Sequence, residues 1–563
     1  MELNGSQMVI EALHAEGVEV VFGYPGGAVL NIYDELYKQS YFEHILMRHE
    51  QAAIHAADGF ARASGKVGVA IVTSGPGFTN AVTGIATAHT DSIPLVIISG
   101  QVAMSLIGTD AFQEIDAVGI SRPCTKHNFL VKSIEELPHI LKQAFFIARS
   151  GRPGPVHVDI PKDVTAMRGQ FVYPSEITMK TYKPTTKGNP RQIQKAAAAI
   201  RESTQPILYV GGGAVLSGAT RLVRKLVEIT GIPVVETMMA RGTLPAGDPS
   251  LLGMVGMHGT YAANMGISES DLVIALGARF DDRVTGRLSD FAKHAKKIHI
   301  DIDPSSIGKI VEVDYPIVGD LKVVLEDLIG LLNGNFEYAR LDEWRDRLKN
   351  YDEIHPLCYS NDGDLIKPQW VIEEVGRLLN KEAVIATDVG QHQMWAAQFF
   401  PFDGANRWLS SGGLGTMGYG FPAAIGAKKA RPNSTVVNFT GDGSFLMNIQ
   451  ELMTASANGI AVVNIILNNN YLGMVRQWQT FFYDNRLSQT VLDKQPDFVK
   501  LAEAFGAFGV RVLHRDEFLP ALNAAIASGK PAIIDVSIDR DENVLPMVPT
   551  GGTLYNMILD YKE

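Results

Sequence analysis

Three stretches of the chain share one pattern of hydrophobic and polar positions: an apolar run, a glycine-rich turn, an alanine-rich segment and a second apolar run. They begin at Val67, Pro206 and Ser434. Because the apolar runs do not alternate with polar residues, each predicts a strand buried on both faces. The order strand, helix, strand predicts a parallel pair with a right-handed crossover. We therefore expect an α/β protein with three doubly wound parallel sheets.

Two polar stretches separate these units. The first begins at Tyr173 and is rich in Pro, Thr and Lys, and the second, from about 334 to 367, is highly charged. Such compositions are typical of linkers. The chain is then expected to form three domains, at 1–172, 190–345 and 365–563.

Composition narrows the class of protein. Of the 563 residues, 46% are hydrophobic and 20% are charged, and no apolar run approaches the length of about 18 residues that a membrane span requires. The N-terminus lacks the pattern of a signal peptide, so we expect a cytoplasmic protein, or one from which a targeting segment has been removed, that does not cross a membrane. A net charge of -11 argues against nucleic-acid binding. Cys124 and Cys358 lie far apart and outside any metal-type cluster, which predicts free thiols.

All three glycine turns are candidate anion sites, because in parallel sheets the strands end where helix N-termini point outward. None carries a complete nucleotide motif. "GGGAVLSG" lacks the G-x-G-x-x-G spacing, and G-x-x-x-x-G-K-[ST] is absent. A dinucleotide site or P-loop of the usual kind is therefore poorly supported by sequence motifs.

The third unit carries the most specific chemistry. Asp442 stands between Gly441 and Gly443 at the end of one apolar run, and Asn469 follows 27 residues later at the end of the next. We expect both at the same end of the sheet. A carboxylate, an amide oxygen and a backbone carbonyl suit Mg²⁺, which completes its coordination with phosphates and water. Taken singly, Asp442 could cap a helix and the asparagines could form a turn; the combined spacing favours a metal that holds a diphosphate.

The block "GDGSFLMNIQELMTASANGIAVVNIILNNNYLGM" resembles the thiamin-diphosphate signature, in which G-D-G precedes N-N by nearly thirty residues. Further blocks extend the resemblance along the chain, among them "GYPGGAVLNIYD", "RHEQAAIHAADGFARASG", "GRPGPVHVDIPKDV", "GARFDDRVTG" and "SSGGLGTMGYGFPAAIGA". Together they resemble the catalytic large subunits of acetohydroxyacid synthases, also called acetolactate synthases.

This resemblance implies a reaction, cofactors and partners. Pyruvate would be decarboxylated on thiamin diphosphate, and the two-carbon unit transferred to a second pyruvate or to 2-ketobutyrate, in branched-chain amino-acid biosynthesis. The N-terminal domain would bind the pyrimidine ring, the central domain FAD, and the C-terminal domain the diphosphate and Mg²⁺. The active site would need a homodimer or tetramer, and a small regulatory subunit is a further possible partner.

The resemblance assigns Glu50 to the pyrimidine ring nitrogen, where a carboxyl group promotes the imino tautomer that acts as an internal base. By position alone, Glu50 could equally be a first-turn residue favoured by the helix dipole. The family's metal ligands match the side chains of Asp442 and Asn469 and the backbone oxygen of Tyr471. Met417 would lie beneath the cofactor and force its bent shape, although a methionine read on its own indicates core packing. The remaining expected contacts of the diphosphate are Gly390, Gln391, His392, Gly441, Gly443 and Ser444.

Specificity for a second 2-ketoacid requires a group that binds its carboxylate and a wall for its alkyl chain. Arg283 and Trp478 match the family's residues for these two roles. Alternatively, Arg283 could pair with Asp281 or Asp282, and Trp478 could be a core residue. The other residues expected to line the site are Phe112, Gln113 and Lys162.

The central third resembles the FAD-binding domain of the biosynthetic enzymes, in which the flavin takes no net part in redox chemistry. Ala103 departs from the family, because many relatives carry proline there, and this bears on inhibitor sensitivity only. The residues expected to contact FAD are Arg152, Gly211, Gly212, Gly213, Met257, His258, Gly277, Arg279, Asp301, Ile302 and Asp320.

Two other functions stay open at this point. A sister thiamin and flavin enzyme such as pyruvate oxidase would use FAD as its electron acceptor. A noncatalytic nucleotide-binding or regulatory protein could share the fold, and it would retain full function when Glu50 is changed to Gln.

Overall fold

A computed structural model describes residues 1–361, 363–379 and 382–560. Within these residues the strands form three six-stranded sheets and one two-stranded ribbon. Every described strand pair in the three large sheets is parallel, which confirms the predicted α/β class. The chain divides into two compact units: Met1–Lys183 with Glu382–His392 and Leu409–Arg540, and Pro184–Lys381 with Gln393–Trp408 and Asp541–Glu563.

The N-terminal third supplies eight strands and seven helices. In chain order they are β1 (Glu2–Asn4), α1 (Gly5–Ala15), β2 (Val20–Gly23), α2 (Leu30–Lys38), β3 (Glu43–Leu46), α3 (Glu50–Ser64), β4 (Gly68–Val72), α4 (Pro76–Asp91), β5 (Leu95–Gln101), α5 (Ala117–Ser121), β6 (His127–Leu130), α6 (Leu137–Arg149), β7 (Pro155–Pro161), α7 (Lys162–Ala166) and β8 (Arg168–Gln170).

The central part follows. Its elements are α8 (Pro190–Glu202), β9 (Pro206–Val210), α9 (Gly212–Leu216), α10 (Thr220–Thr230), β10 (Val234–Glu236), β11 (Leu251–Met254), α11 (Tyr261–Glu269), β12 (Leu272–Leu276), α12 (Asp282–Thr285), β13 (Lys296–Asp301), β14 (Tyr315–Val318), α13 (Leu321–Leu332), α14 (Asp342–Ile354) and α15 (Pro368–Leu378).

The C-terminal part completes the chain. Its elements are β15 (Val384–Thr387), α16 (Gln391–Phe399), β16 (Trp408–Leu409), α17 (Gly420–Ala430), β17 (Val436–Thr440), α18 (Asp442–Phe445), α19 (Glu451–Ala457), β18 (Val463–Asn468), α20 (Gly473–Phe482), α21 (Phe498–Ala504), β19 (Phe508–Val512), α22 (Arg515–Ala527) and β20 (Ala532–Ser537).

The first and third sheets have the same topology. The first runs β3-β2-β4-β5-β7-β6 and the third β16-β15-β17-β18-β20-β19. In each, the chain moves outward in opposite directions from a neighbouring pair of strands, β2 and β4 in one sheet and β15 and β17 in the other. Ligands of open α/β sheets bind at such switch points, beyond the carboxyl ends of the strands.

The central sheet runs β11-β10-β9-β12-β13-β14. Counted from β9, this is the order third, second, first, fourth, fifth, sixth, which is the order of dinucleotide-binding sheets. Its switch point lies between β9 and β12. The topology therefore indicates a nucleotide-binding crevice, which the sequence motifs did not indicate.

Helices α3 and α17 pack very closely within the first unit. A β-carbon on Gly59 of α3 would lie 2.0 Å from the carbonyl oxygen of Ala423, and one on Gly426 of α17 would lie 1.8 Å from that of Ala56. Both positions accept only glycine, because the opposing contact is backbone. Helix α3 ends at Gly65, whose φ of 75° forms the left-handed cap expected of glycine.

The predicted linkers are partly correct. Between β8 and α8 the described residues form no helix or strand, as expected from the composition after Tyr173. The second prediction is wrong in its middle part, because α14 lies within 334–367 and buries Trp344 and Leu348. These two apolar side chains, four residues apart, form a narrow stripe that the surrounding charges conceal. The domain bounds 1–172, 190–345 and 365–563 stay predictions.

The crossovers also differ in detail from the sequence expectation. The single helix expected after β9 is two helices, α9 and α10, and that expected after β17 is α18 and α19.

Among the described residues, no helix combines the length and the hydrophobicity that crossing a bilayer demands.

Candidate active site

The predicted metal-binding residues lie at the switch point of the third sheet. Strand β17 ends at Thr440 and is followed by Gly441 and Asp442, while the neighbouring parallel strand β18 ends one residue before Asn469. Because the two strands run in the same direction, both side chains lie beyond the same sheet edge. Gly390 and Gln391 follow β15, on the other side of β17, and end at that edge too.

Asp442 is 1% exposed and begins helix α18. The side-chain amide of Gln495 donates to its Oδ2, whereas Oδ1 has no hydrogen-bond partner among the described residues. Burial raises the pKa of Asp442 to about 7, and the Gln495 bond opposes that shift. Since buried polar oxygens are nearly always satisfied, the free Oδ1 is the position at which a cation fits.

Asn469 is buried and sits in a network of amides. Its Nδ2 donates to Gln391 Oε1 at 3.3 Å, and its Oδ1 accepts from the Tyr471 backbone N–H at 3.1 Å. Gln391 Nε2 in turn donates to Gln477 Oε1 at 2.9 Å. Among the described residues, no three His, Cys, Asp or Glu side chains gather as a metal cluster. A site with one carboxylate and neutral oxygens therefore suits Mg²⁺ better than a transition metal.

His392 lines the same edge. Burial lowers its pKa to about 3, so the ring is neutral, and its Nε2 has no partner among the described residues. A β-carbon on Gly441 would lie 3.0 Å from His392 Nδ1, so glycine leaves room for the ring. Ser444 directs its hydroxyl to the Val389 carbonyl at 3.2 Å. The arrangement presents a neutral imidazole ring and small backbone turns to a ligand at this edge.

Three side chains of this site were given no role from the sequence. Gln495 and Gln477 support Asp442 and Gln391, and Asp388 is buried at the end of β15. Asp388 accepts from the Gly420 N–H at 2.9 Å and from the Thr440 hydroxyl at 2.7 Å, and burial raises its pKa. Asp388 has a weak signal as a carboxylate at a strand end, whereas Gln495 lies in a loop without any pattern.

Glu50 is the first residue of α3 and is 8% exposed. Asn80 Nδ2 donates to its Oε2 at 3.0 Å, and a β-carbon on Gly77 would lie 3.3 Å from its Oε1. Both neighbours belong to α4, which begins at the switch point of the first sheet. Burial, followed by the charge of Glu50, raises the pKa of Tyr33 above its usual range. Glu50 is therefore a sequestered carboxyl group at the edge where open α/β sheets bind ligands.

The residues expected to line the substrate site are exposed or half-buried. Phe112 is 89% exposed, Lys162 is exposed at the start of α7, and Gln113 adopts a left-handed φ of 61°. Trp478 on α20 is half-buried with its ring centroid 5.6 Å from that of Phe482, so it is not a core residue. Met417 is also half-buried, in the segment Ser411–Tyr419 before α17, which we call the Met417 loop.

Arg283 belongs to the second unit and is 59% exposed on the side chain. Its Nε lies 3.8 Å from Asp282 Oδ2, and its backbone N–H donates to Asp281 Oδ1 at 2.9 Å. The ion pair with Asp282 forms, but exposed pairs of this kind contribute little stability. The guanidinium therefore remains accessible to a ligand.

The residues expected to contact FAD, apart from Arg152, lie at or beyond the carboxyl ends of the central strands. At the switch point, the Gly211 N–H donates to Leu276 O and the Gly213 N–H to Gly277 O, each at 3.0 Å. A β-carbon on Gly211 would lie 2.3 Å from Gly277 O, so the two turns approach too closely for any side chain. The other expected contacts at strand ends are Gly212, Met257, His258, Arg279, Asp301, Ile302 and Asp320.

Several of these residues have local roles. His258 Nδ1 lies 3.1 Å from Pro546 O, and burial lowers the pKa of the ring to about 4. Asp320 caps α13 by accepting from Lys322 N at 3.0 Å, and Arg279 pairs with Asp281. Arg152 lies in the first unit, where its Nε donates to Ser92 Oγ at 2.8 Å.

Family models cover most of the chain. The N-terminal TPP-binding domain of thiamine pyrophosphate enzymes matches residues 3–120, their central domain matches 193–328, and their C-terminal TPP-binding domain matches 388–536. The acetolactate synthase large subunit of Haemophilus influenzae is 50% identical, over 99% of this chain and 98% of its own. Isozyme 3 of Escherichia coli is 50% identical over 100% and 99%, and a probable large subunit of Methanocaldococcus jannaschii is 51% identical over 99% and 95%.

The chain belongs to the acetolactate synthase large-subunit family. This confirms the resemblance inferred from the sequence blocks and the assignment to the thiamin-diphosphate enzymes. The three matched domains carry one parallel sheet each, which agrees with the fold. The departure at Ala103 lies in a half-buried position two residues after β5 and before a short 3-10 turn at Met104–Leu106.

Proposed function

We propose that this chain is the catalytic subunit of an acetolactate synthase. It decarboxylates pyruvate and joins the remaining two carbons to a second 2-ketoacid, pyruvate or 2-ketobutyrate, with release of CO₂. The observation that carries the proposal is the unpartnered Oδ1 of buried Asp442, at a switch point shared with Asn469 and Gln391. Full-length similarity to acetolactate synthase large subunits supports the choice of reaction.

Asp442, Asn469 and the Tyr471 carbonyl would hold Mg²⁺, with the diphosphate of the cofactor completing the coordination. His392, Gly390, Gly441, Gly443 and Ser444 would contact the diphosphate. Asp442 would bind the metal as a carboxylate, because a nearby divalent cation favours the ionised form over the protonated form that burial favours. Thiamin diphosphate, when bound, supplies the carbanion-stabilising ring that pyruvate decarboxylation requires.

Glu50 would share a proton with the pyrimidine ring nitrogen of the cofactor. Its burial excludes water, and the Asn80 amide orients its carboxyl group. Both features suit a group that must hold a proton at one defined atom. Gln at this position keeps the shape but cannot transfer the proton.

Arg283 would bind the carboxylate of the second 2-ketoacid, because a guanidinium matches that geometry with two parallel hydrogen bonds. Trp478 would provide an apolar wall for the alkyl group, so that the extra methylene of 2-ketobutyrate is favoured. Phe112, Gln113 and Lys162 would line the rest of the site, and Met417 would support the cofactor from beneath.

We propose that the active chain is at least a homodimer, in which Glu50 of one subunit acts on the cofactor held by Asp442 of another. Within one chain Glu50 bonds to Asn80, whereas Asp442 bonds to Gln495. The high exposure of Phe112, and of Leu446 and Met447 beside α18, supports a second copy that covers them.

We further propose that the central sheet binds FAD in the crevice between β9 and β12, as a structural cofactor. The strand order and the glycine contacts at Gly211 and Gly277 support this assignment. The name "large subunit" borne by the relatives supports a small regulatory subunit as a partner. A cytoplasmic location completes the proposal.

The decisive assay incubates the chain with pyruvate, thiamin diphosphate, Mg²⁺ and FAD, and then acidifies the mixture. Acetolactate formed in the reaction decarboxylates in acid to acetoin, which is measured by colour. Acetoin that depends on all of pyruvate, thiamin diphosphate and Mg²⁺ supports the proposal. Anaerobic bleaching of the flavin by pyruvate at the rate of turnover, without acetoin, would indicate a pyruvate oxidase instead.

A further inference from the structure

A buried cluster of three charges connects α3 with the end of α4. Arg62 Nε lies 2.6 Å from Asp58 Oδ1, and Arg62 Nη2 lies 2.8 Å from Asp91 Oδ2. The three side chains are 6%, 0% and 3% exposed, in the order Arg62, Asp58, Asp91. Burial alone lowers the pKa of the guanidinium, but its neighbours, Asp58 above all, raise it well above the ordinary value. Two carboxylates thus surround one cation, which leaves an excess of negative charge.

The Met417 loop supplies the donors that balance this charge. The backbone N–H groups of Gly412 and Gly413 donate to Asp91, at 3.0 Å to Oδ2 and 2.7 Å to Oδ1. At the other end of the loop, the Tyr419 hydroxyl donates to Asp58 Oδ1 at 2.6 Å. Hydrogen bonds to buried charges are the strongest that such a loop can make. The cluster therefore fixes both ends of the loop.

Further bonds hold the loop on either side of Met417. Thr87 and Thr416 share a hydroxyl hydrogen bond of 2.7 Å, and Thr87 also donates to Thr83 O at 2.9 Å, so Thr416 is the donor to Thr87. Asn448 Nδ2 donates to Gly418 O at 2.7 Å. The residues immediately before and after Met417 are thus attached to other elements.

The Met417 loop packs closely against the residues that hold it. A β-carbon on Gly413 would lie 2.9 Å from Asp91 Oδ1, and Gly418 has a left-handed φ of 84°. Only the tip is free, where Leu414 is 45% exposed. These attachments restrict the backbone of the loop on both sides of Met417, and so restrict where its side chain can project.

We propose that Asp91, together with Arg62 and Asp58, is a positioning residue for the cofactor, because it holds the Met417 loop in the shape in which Met417 meets thiamin diphosphate. The inference rests on the proposed function, since it assumes that Met417 contacts the cofactor. It extends that function to residues outside the binding site. Asp91 acts through the loop and touches neither cofactor nor substrate.

Binding of thiamin diphosphate, measured by calorimetry with Mg²⁺ and FAD in excess, tests this role in the full chain. The variants are Asp91→Asn, Met417→Ala and the double variant. Asp91→Asn should weaken binding by about 10- to 100-fold, the effect of losing hydrogen bonds to a buried charge. Because Asp91 acts through Met417, the double variant should bind no more weakly than the weaker single variant.

A matched pair guards against an Asp91→Asn variant that does not fold. Thr87→Val removes the hydroxyl that accepts from Thr416 at equal side-chain volume, whereas Thr87→Ser keeps it. We expect weaker binding of thiamin diphosphate in Thr87→Val and nearly the parent affinity in Thr87→Ser. Equal affinities in the pair would overturn the inference.

Glu16→Gln is the control for a general loss of stability. Glu16 is 2% exposed and lies 2.7 Å from Lys142, far along the chain from the Met417 loop. The Glu16→Gln variant should unfold more easily than the parent but bind thiamin diphosphate equally well. If its binding of thiamin diphosphate were weakened as much as that of Asp91→Asn, the inference would be overturned. So would an unaffected Asp91→Asn, or losses that multiply in the double variant. A parent chain that binds no thiamin diphosphate overturns the proposed function as well, which separates the two failures.

Discussion

The backbone N–H of Arg48 donates to both carboxylate oxygens of Glu451, at 3.1 Å to Oε1 and 3.2 Å to Oε2. Glu451 begins α19 in the C-terminal part of the chain, and Arg48 precedes Glu50 by two residues. Thr454 also donates to Glu451 Oε2, at 2.6 Å. The start of α3, and with it the predicted catalytic carboxyl group, is held in place by the third sheet's helices.

Glu451→Ala should lower kcat by about tenfold or more, because it leaves the partly buried Arg48 N–H without its partner and frees the residues that position Glu50. The same change should lower the free energy of unfolding by roughly 1–3 kcal/mol. Thr454→Val is the control, since it retains both Arg48 bonds. Steady-state rates with pyruvate measure the effect, and a Glu451→Ala enzyme as fast as the parent would contradict it.

Glu50→Gln should reduce acetolactate formation by about 100- to 10,000-fold, the usual contribution of a general acid–base group. The fold and the affinity for thiamin diphosphate should remain, because Gln keeps the size and the Asn80 contact. Glu43→Gln, at a 48% exposed carboxylate on β3, should keep the parent rate. Full activity of Glu50→Gln would instead favour the noncatalytic alternative.

Removal of Mg²⁺ should release the cofactor. In the parent, EDTA should abolish the rise in melting temperature that thiamin diphosphate produces, and added Mg²⁺ should restore it. Asp442→Asn should need a far higher Mg²⁺ concentration, because it lacks the only carboxylate of the predicted site. Asp493→Asn, at a 67% exposed carboxylate, should behave like the parent. If EDTA left the rise in melting temperature unchanged, the proposal that a metal holds the diphosphate would be refuted.

Trp478→Leu should largely remove the preference for 2-ketobutyrate over pyruvate, because the alkyl chain of the acceptor loses its aromatic wall. The ratio of the two products in a competition assay measures this preference. Phe482→Leu, which changes the neighbouring ring on the same helix, is the control and should retain the parent ratio. An unchanged ratio in Trp478→Leu would remove Trp478 from the specificity site.

His157 and Asp159 should make the free energy of unfolding depend on pH in opposite directions. Ser99 Oγ contacts His157 Nε2 at 2.7 Å and Asp159 Oδ1 at 2.5 Å. Burial lowers the pKa of His157 from 6.5 to about 3 and raises that of Asp159 from 3.8 to about 7. Between about pH 4 and 6.5 the folded pair carries its proton on Asp159 and the unfolded pair on His157. The folded and the unfolded pair bind the same number of protons, so the pair adds no pH dependence to the free energy of unfolding in this range.

Asp159→Asn should leave only the pH dependence of stability that His157 causes. Its free energy of unfolding should fall, relative to the parent, by about 1.4 kcal/mol per pH unit as the pH drops below 6.5. The sign follows because the unfolded histidine alone then binds the extra proton. His157→Asn should show the opposite slope, with stability lost as the pH rises towards 7. Urea midpoints across this range measure both slopes, and two variants that parallel the parent would refute the argument.

The sequence predicted the parts of the fold that depend on local pattern. Continuous apolar runs such as that ending at Thr440 gave the parallel strands, and the spacing of Asp442 and Asn469 placed both at one sheet edge. Helix α14 was missed because only Trp344 and Leu348 mark its buried side among many charges. The switch point of the central sheet could not be foreseen either, because strand order depends on long-range pairing.

The same division applies to the site. Asp442 stands in a motif, but its partner Gln495 lies 53 residues away in a loop that no pattern marks. Asp91 and Arg62 are even less visible, because charged residues on a predicted helix usually face solvent. Only the packing of α3 against α4 and the Met417 loop shows that they are buried.

The central claim is that Asp442 and Asn469 hold a divalent metal that anchors thiamin diphosphate, while Glu50 contacts the pyrimidine ring. A crystal structure of the chain with thiamin diphosphate and Mg²⁺ tests it most directly. The account predicts metal density between Asp442, Asn469 and the Tyr471 carbonyl, and a Glu50 carboxyl group from the neighbouring subunit on the ring nitrogen. Metal bound elsewhere, or a pyrimidine ring without any carboxyl contact, would contradict it.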